Sequence, residues 1–466
     1  MDLLLAHGYF LAEDEHERRV MKPYPTLGLL YISAYLKARG HAVGVFDATF
    51  QTLAAFEARL QQEQPGAVGL YTNLMTKFNV LKMIAACRTV GAKVILGGPE
   101  PAMYAEEYLG RGADVVVVGE GEHTMADLLS NGLANLSSIP GIIFRRDDGT
   151  VVRNEPRPYI KDLDALPFPD RDAIDMDRYV RVWRAHHGMG SVSLICARGC
   201  PFHCQWCSHA VYGNSHRRRS PANVVAELEM LLERYRPDQV WYADDVFTIH
   251  RKWFLQYATL LGERGIKVPF ECISRSDCLN EEVVQKLSEI GCYRLWLGAE
   301  SGSQRVLDAM RRDVKIEDVQ AKAKLLQRHK IKVGMFIMLG YDGETLPDIE
   351  ATTEHLKIAN PDVFLTTIAY PIRGTGYYKT VERRVLARSA WEATTDRDLS
   401  VEGRYSPRFY SFATRWMVNS VALHREWQGP RRPVTLAKTF ANAAIGRAGM
   451  LVTQREREQP ALRRSD

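Results

Sequence analysis

The chain has 466 residues, with 61 Lys and Arg against 56 Asp and Glu for a net charge of +5, and apolar and charged fractions of 46% and 25%. That is enough for about three ordinary domains, each with its own core, in a composition typical of soluble globular proteins. No apolar run reaches the roughly 18–20 residues of a membrane span, the acidic start at Glu13–Glu17 is not that of a signal peptide, and eight cysteines are too few for a disulfide scaffold. A cytoplasmic protein with reduced thiols is expected, rather than a secreted, membrane-spanning or disordered one. From residue 381 onward there are 16 Lys and Arg against 9 Asp and Glu, whereas the first 380 residues carry 45 against 47. The body therefore has no nucleic-acid footprint, and the basic excess sits in the tail.

Along residues 1–150, short apolar runs alternate with helical periods. Strands are predicted at Asp2–His7, Ala42–Phe46, Ala67–Tyr71, Lys93–Leu96 and Asp114–Val118. A helix is predicted over Thr26–Arg39, closed by Gly40. This alternation implies parallel βαβ units in a doubly wound, Rossmann-like sheet covered on both faces. Ligands of such sheets bind beyond the carboxyl ends of the strands. Here those ends read Thr72-Asn73, Gly97-Gly98-Pro99-Glu100 and Gly119-Glu120-Gly121-Glu122. Glycines there would let a large flat ligand approach the backbone, although they would also serve as plain tight turns. No G-x-G-x-x-G follows the first strand, which disfavours a dinucleotide.

A hairpin is expected from Ile139–Phe144 and Val151–Arg153 around Asp148-Gly149. Pro156, Pro158, Pro167 and Pro169 then break both helix and ladder. Residues 151–189 are accordingly assigned as an extended inter-domain linker, its core being Glu155–Met189.

The sharpest signal follows the predicted strand Val192–Ala197. It is Cys200-Pro201-Phe202-His203-Cys204-Gln205-Trp206-Cys207, a C-x3-C-x2-C loop. Three thiolates on one short loop can hold three irons of a cubane cluster and leave the fourth open to an exchangeable ligand. A zinc site completed by His203 or His209 is the other reading that the local sequence allows. Cys196, Cys272 and Cys292, in or beside strands, read as buried packing residues.

Further strands are predicted at Gln239–Ala243, Pro269–Ile273, Tyr293–Ala299, Val333–Leu339 and Val363–Ala369. The helix beginning at Ser220-Pro221 aligns Val224, Val225, Leu228, Leu231 and Tyr235 on one face. Six βα units over residues 190–385 make a partial (β/α)6 TIM barrel, with chemistry expected at the carboxyl ends of its strands. Those ends carry Asp244-Asp245, Ser274-Arg275 and Glu300, then Tyr370 and Arg373 as a weaker candidate substrate pocket. Arg275 could grip a carboxylate with two bonds. Each acidic residue could instead cap a helix, but their shared placement favours a ligand.

On Cys200, Cys204, Trp206 and Cys207 the chain resembles the radical S-adenosylmethionine (SAM) superfamily, whose hallmark is C-x3-C-x-aromatic-C. The preceding domain resembles the cobalamin-binding domain of one large subgroup. The stretch Pro25-Thr26-Leu27-Gly28-Leu29-Leu30-Tyr31 matches its P-x-x-L-G-x-x-Y, and the two glycine turns and the Asp162–Pro169 segment match as well. The resemblance covers about residues 1–385 and implies three cofactors: a [4Fe–4S] cluster on Cys200, Cys204 and Cys207, SAM, and cobalamin (B12). It implies SAM contacts from Trp206, Asp244, Asp245, Ser274, Arg275 and Glu300, and cobalamin contacts from Thr72, Asn73, Gly97 to Glu100 and Gly119 to Glu122. Cobalamin is expected without a His ligand, since D-x-H-x-x-G is absent; Tyr71, Leu74 and Met75 are candidates for its lower face.

The implied activity is methylation of an unactivated carbon by way of a 5′-deoxyadenosyl radical and methylcobalamin. Two alternatives stay open. One is a non-methylating oxidative cyclisation or ring rearrangement, as in anaerobic bacteriochlorophyll synthesis; the other is a non-catalytic cobalamin and iron–sulfur sensor. A single cluster is expected, because no second cysteine group accompanies the first. Expected partners are a small-molecule or lipid-like substrate and an electron donor such as flavodoxin or ferredoxin. The tail, 386–466, interleaves aromatic residues with arginines and has helical composition over Val434–Thr453. It reads as a small helical subdomain shaping the substrate pocket, with peripheral membrane contact as the further expectation. The last ten residues or so are expected to be disordered.

Overall fold

In a computed structural model, which describes residues 1–428 and 433–460, the predicted N-terminal strands form within a residue or two of expectation. They are β1 (Leu3–His7), β2 (Val43–Phe46), β3 (Ala67–Tyr71), β4 (Lys93–Gly97) and β5 (Val115–Val117), followed by β6 (Ile142–Arg145) and β7 (Val151–Arg153). One seven-stranded sheet runs β2-β1-β3-β4-β5-β6-β7, its first five strands parallel and its last two antiparallel. Residues alternate between its faces. Leu4, Ala6, Val68, Leu70, Val94 and Val116 face one core, while Leu3, Leu5, Ala67, Ile95, Val115 and Val117 face the other. Both faces are covered, as parallel strands with crossover helices require.

Contacts divide the chain into two compact units. The first is Met1–Pro201, Ser208–Asp244 and Trp391–Thr395; the second is Phe202–Cys207, Asp245–Ala390 and Asp396–Asp466. The sheet belongs to the first unit. So do β8 (Ser191–Leu194) and β11 (Gln239–Tyr242), which pair in parallel, and the two-residue strands β9 (Ala197–Arg198) and β10 (Arg217–Arg218). The helix Pro221–Tyr235 lies between β10 and β11, its N-terminus capped by the Ser220 side chain.

Val151–Arg153 is β7, the second strand of the expected hairpin, so the linker cannot begin at 151. The extended-linker expectation also needs correction over Met176–His187, which is a three-turn helix. The prolines end at Pro169; beyond them Asp175 caps the helix, Gly188 closes it in the left-handed region, and Met176, Tyr179, Val180 and Trp183 form a buried stripe. The Tyr179 hydroxyl donates to Asp47 at 2.9 Å, and Trp183 Nε1–H donates to the Pro23 carbonyl at 2.7 Å. This segment is packed structure of the first unit.

A piece of the tail also belongs there. The Trp391 ring meets Tyr108 edge-on at 4.8 Å. The buried Lys77 ammonium lies 3.9 Å from the same ring and donates to the Thr394 carbonyl.

In the second unit β12 (Phe270–Ser274), β13 (Cys292–Glu300), β14 (Lys332–Leu339) and β15 (Val363–Ile368) pair successively in parallel. Helices Glu281–Glu289, Ile316–Arg328 and Leu346–Ala359 connect them. Two tail helices follow, Pro407–Gln428 and Pro433–Thr453. Residues 461–466, most of the terminal stretch expected to be disordered, lie outside the described residues. The chain thus holds a doubly wound α/β sheet in its N-terminal part and successive parallel βα units, with a helical tail, in its C-terminal part.

Candidate functional site

In the order β2-β1-β3 the chain leaves β1 in opposite directions, which opens a crevice at the strands' carboxyl ends. A cavity of about 640 Å³ lies there, wholly within the first unit. The turns after β3, β4 and β5 line it, through Asn73, Gly97 to Pro99 and Gly119 to Glu122. Opposite stand Tyr24, Trp241 and the helix start at Thr26 to Leu29. A side chain at Gly28 or Gly97 would meet nothing within 4 Å, so these glycines widen the cradle rather than relieve a clash. Gly98 differs: its φ is +112°, and a Cβ would run into the Thr72 carbonyl.

Two residues expected at this cavity are not among its lining. Thr72 is fully buried behind Gly98, and the buried Glu100 accepts from the Tyr108 hydroxyl at 2.6 Å beside Lys77. Glu120 and Glu122 do line it, but their carboxylates are engaged. Arg198 donates to both, at 2.8 and 2.5 Å, and Arg217 donates to Glu120 at 2.8 Å. The Asn73 side chain accepts from the amides of Met75 and Thr76, folding the turn after β3. Of the lower-face candidates, Tyr71 and Met75 line the cavity and Leu74 does not. His7 also lines it, yet Nδ1 accepts the Tyr9 amide and Nε2 lies 3.0 Å from Asp47, so both ring nitrogens are engaged.

The cysteine loop has no regular structure between residues 199 and 215. Cys200 is half-buried and falls in the first unit; Cys204 and Cys207 fall in the second. Among the described residues no three His, Cys, Asp or Glu side chains converge as a single-ion site would need. The loop is strapped to the second unit by three bonds. Gln205 N–H donates to Met310 O at 2.9 Å, Tyr377 N–H to Gln205 O at 2.7 Å, and Trp206 Nε1–H to Tyr370 O at 2.8 Å. Trp206 also meets the Tyr370 ring edge-on.

Cys204 Sγ sits 3.2 Å from Arg312 Nη1 and 3.8 Å from Arg275 Nη1. A hydrogen bond from Cys207, followed by the two guanidinium charges, holds the Cys204 thiol down at about 5 despite its burial. That is a thiolate-favouring site, the chemistry that a cluster ligand requires.

Arg275 was expected to grip a ligand carboxylate. Its Nε and Nη2 instead bind Asp277, both at 2.9 Å, and its plane lies 3.6 Å from the Phe202 ring. Ser274 Oγ lies 2.5 Å from Thr248 Oγ1 in full burial. The two aspartates ending β11 part company: buried Asp244 accepts from the amides of Cys196 and Ala197 and pairs with Arg218 at 3.2 Å, all in the first unit, while Asp245 is exposed in the second. Arg373 is exposed, its amide donating to Asp396.

Glu300 is brought to the thiolate side by a register shift between Gly298 and Glu300 in β13, and it takes the left-handed conformation at φ +58°. Burial raises its carboxyl above the ordinary value, and Arg312, 3.8 Å away, opposes that rise.

Arg312 and Arg198 escaped the sequence reading. Arg312 follows the short helix Gln304–Ala309 rather than a strand, so nothing local marked it. Arg198 left a signal in hindsight: two acidic residues in one buried turn require counter-cations, and an arginine stands two residues before Cys200.

The family described as B12 binding domain matches residues 19–129, and the Radical SAM superfamily matches residues 194–356. The chain thus carries a B12 binding domain followed by a Radical SAM superfamily domain. Its cofactors are a [4Fe–4S] cluster, SAM and cobalamin, and both the glycine-widened cavity and the thiolate loop fit them. It is 28% identical over 391 residues to an uncharacterized methyltransferase, PH0819, of Pyrococcus horikoshii, covering 80% of this chain and 82% of that one. It is likewise 28% identical to the anaerobic magnesium-protoporphyrin IX monomethyl ester cyclase of Rubrivivax gelatinosus, covering 73% and 63%. The fold matches the cobalamin-dependent SAM radical enzyme OxsB with a TM-score of 0.75 at 15% identity, over 97% of this chain and 80% of that one. It also matches the radical SAM methyltransferase TsrM of Kitasatospora setae at 0.69 and 17%, over 83% and 78%. No helix among the described residues is long and apolar enough to cross a membrane.

Proposed function

We propose that this protein is a cobalamin-dependent radical SAM C-methyltransferase that methylates an unactivated carbon of a small or lipid-like molecule. The observation that carries the reading is the match to PH0819 across about four-fifths of both chains. Relatives named for methylation of a phosphonate and of a hopanoid, from Streptomyces wedmorensis and Methylococcus capsulatus, point the same way.

In this reading residues 1–150 hold cobalamin, 190–385 form the catalytic barrel, and Cys200, Cys204 and Cys207 hold the cluster. Bound there, the cofactors supply a 5′-deoxyadenosyl radical and a transferable methyl group. The chain's own task is placement. Trp206 fixes the loop through Tyr370, and Arg275 and Arg312 supply positive charge to Cys204. Glu300 and Asp245 are the carboxylates assigned to SAM in this reading, and Asp244, which accepts from backbone amides and pairs with Arg218, acts by positioning. Gly97, Gly98 and Gly119 to Glu122 form the cobalamin wall. Electrons would come from a flavodoxin or ferredoxin.

A second reading, oxidative cyclisation without methyl transfer, is favoured by the equal identity to the Rubrivivax cyclase. Mass spectrometry of SAM products after anaerobic reconstitution with cobalamin and a reductant separates the two. Methyl transfer yields both 5′-deoxyadenosine and S-adenosylhomocysteine; deoxyadenosine alone selects the second reading. Neither product would overturn both readings and leave the sensor.

A further inference from the structure

The tail helix Pro433–Thr453 presents a broad apolar face to solvent. Its inner side packs on the helix Pro407–Gln428 through Thr439, Ala443, Gly446 and Met450, and Gly446 sits directly against the Trp416 backbone. On the other side Val434, Phe440, Ile445, Leu451 and Val452 are 84%, 63%, 47%, 58% and 78% exposed, and the four alanines 437, 441, 444 and 448 between them are exposed too. At 100° per residue these positions span roughly 140° of the helix circumference, opposite the packed side. A helix that is apolar all round is ordinarily covered all round, and an exposed patch of this extent marks an interaction surface.

Charge indicates what covers it. Between Trp427 and Arg455 the sequence has five Lys and Arg (431, 432, 438, 447 and 455) and no Asp or Glu. Arg447 is paired with Glu350, but Lys438 and Arg455 are exposed, and Lys438 borders the apolar face next to Ile445 on the helix circumference. A second copy docked face to face would bring these cations against their own counterparts, with no carboxylate on the helix to answer them. An anionic bilayer surface answers both features: acyl chains for the apolar residues and phosphate headgroups for the cations at their edge. The helix is 21 residues long, about 31 Å, and is not apolar enough to cross.

We propose that the helix Pro433–Thr453 lies flat in the interface of an anionic membrane and docks the enzyme on it. The inference rests on the tail surface and does not depend on methyl transfer. It makes membrane-resident molecules accessible as substrates without any spanning segment.

The test is co-sedimentation of the full chain with phosphatidylcholine vesicles containing about 30% phosphatidylglycerol, against phosphatidylcholine alone. Binding is expected to the anionic vesicles, to weaken severalfold as salt rises, and to fall by roughly tenfold or more in the Phe440→Asp/Leu451→Asp double variant and severalfold in Lys438→Glu. Both substituted faces are solvent-exposed, so circular dichroism and SAM cleavage without vesicles should stay at wild-type levels. Failure of the wild-type chain to bind, or equal binding by the double variant, overturns the proposal. So does a dimer in gel filtration that the double variant converts to monomer while vesicles recover neither. Because SAM products are read separately, failure of the wild-type chain to bind vesicles while it forms both products would remove this inference and leave the methyltransferase reading standing.

Discussion

Two arginines decide the electrostatics at the Cys204 thiol. A thiolate buried beside Glu300 would be costly without them, because both groups are anionic when ionised. Arg312 answers both: Nη1 is 3.2 Å from Cys204 Sγ, and Nη2 lies 3.8 Å from Glu300 while donating to the Gly298 carbonyl at 2.6 Å. With a cluster on the thiolate, that N–H and its charge stabilise the reduced, more negative state. A hydrogen bond to a charged acceptor is worth about 1.5 kcal/mol, which for one electron is about 60 mV. Arg312→Ala should therefore lower the cluster's reduction potential by about that amount, and Arg312→Lys should restore part of it. A redox titration followed by electron paramagnetic resonance reads this directly; an unchanged potential in Arg312→Ala would refute the role. The three cysteines proposed to hold the cluster stand out in the sequence because their spacing itself points to that chemistry. Arg312 does not, since its importance comes from where the turn after Ala309 delivers it, and one arginine in Met310-Arg311-Arg312-Asp313 looks like the other.

At the scale of elements, β13 and β14 show how strand ends are shaped. A helix crosses the end of β13 so closely that a Cβ on Gly302 would lie 2.5–2.6 Å from Ala351, Thr352 and His355 atoms. Gly-x-Glu-Ser-Gly is thus partly a packing motif, and only Glu300 in it faces the thiolate side. At the end of β14 the turn is closed by a buried carboxyl: Glu344 accepts the Gly340 amide at 2.5 Å, and its other oxygen has no hydrogen-bond partner among the described residues. Burial, aided by the charge of Asp348, pushes this carboxyl up to about 8. Its folded value thus exceeds the unfolded one, so its contribution to stability is fully present below about 4.5 and is lost as pH rises toward 8. Glu344→Gln keeps an acceptor for Gly340 and removes the ionisation. The variant's melting temperature should gain on wild type between pH 5.5 and 8.5, by an amount corresponding to a few kcal/mol. A gap that stays constant with pH would show that Glu344 does not carry this titration. Periodicity found nearly every strand and the helix Pro221–Tyr235, because burial on one face leaves its trace in composition. It missed Met176–His187 because the proline cluster just upstream dominated the reading of the whole segment.

For the whole molecule, the order β2-β1-β3 and the turns after β3, β4 and β5 put a glycine-widened cavity inside one unit, while Cys204, Arg275 and Glu300 belong to the other. The doubly wound sheet and its ligand end were legible from strand alternation alone. The engagement of Glu120 and Glu122 by Arg198 and Arg217 was not, because those pairs join residues about 80 to 100 positions apart and no local pattern encodes them. Since every lining residue of the cavity lies in the first unit, cobalamin binding should not need the cluster. A ligand that binds only the folded state stabilises it by RT ln(1 + [L]/Kd), about 2.7 kcal/mol at a hundredfold excess over Kd. Added hydroxocobalamin should raise the melting temperature by several degrees in the wild type. It should do the same in a Cys200→Ala/Cys204→Ala/Cys207→Ala variant stripped of iron. Gly98→Val should abolish the shift, since its side chain would strike the Thr72 carbonyl from a left-handed backbone and distort the turn after β4. If the iron-free variant lost the shift as completely as Gly98→Val does, the cavity of the first unit would not be the whole of the cobalamin site.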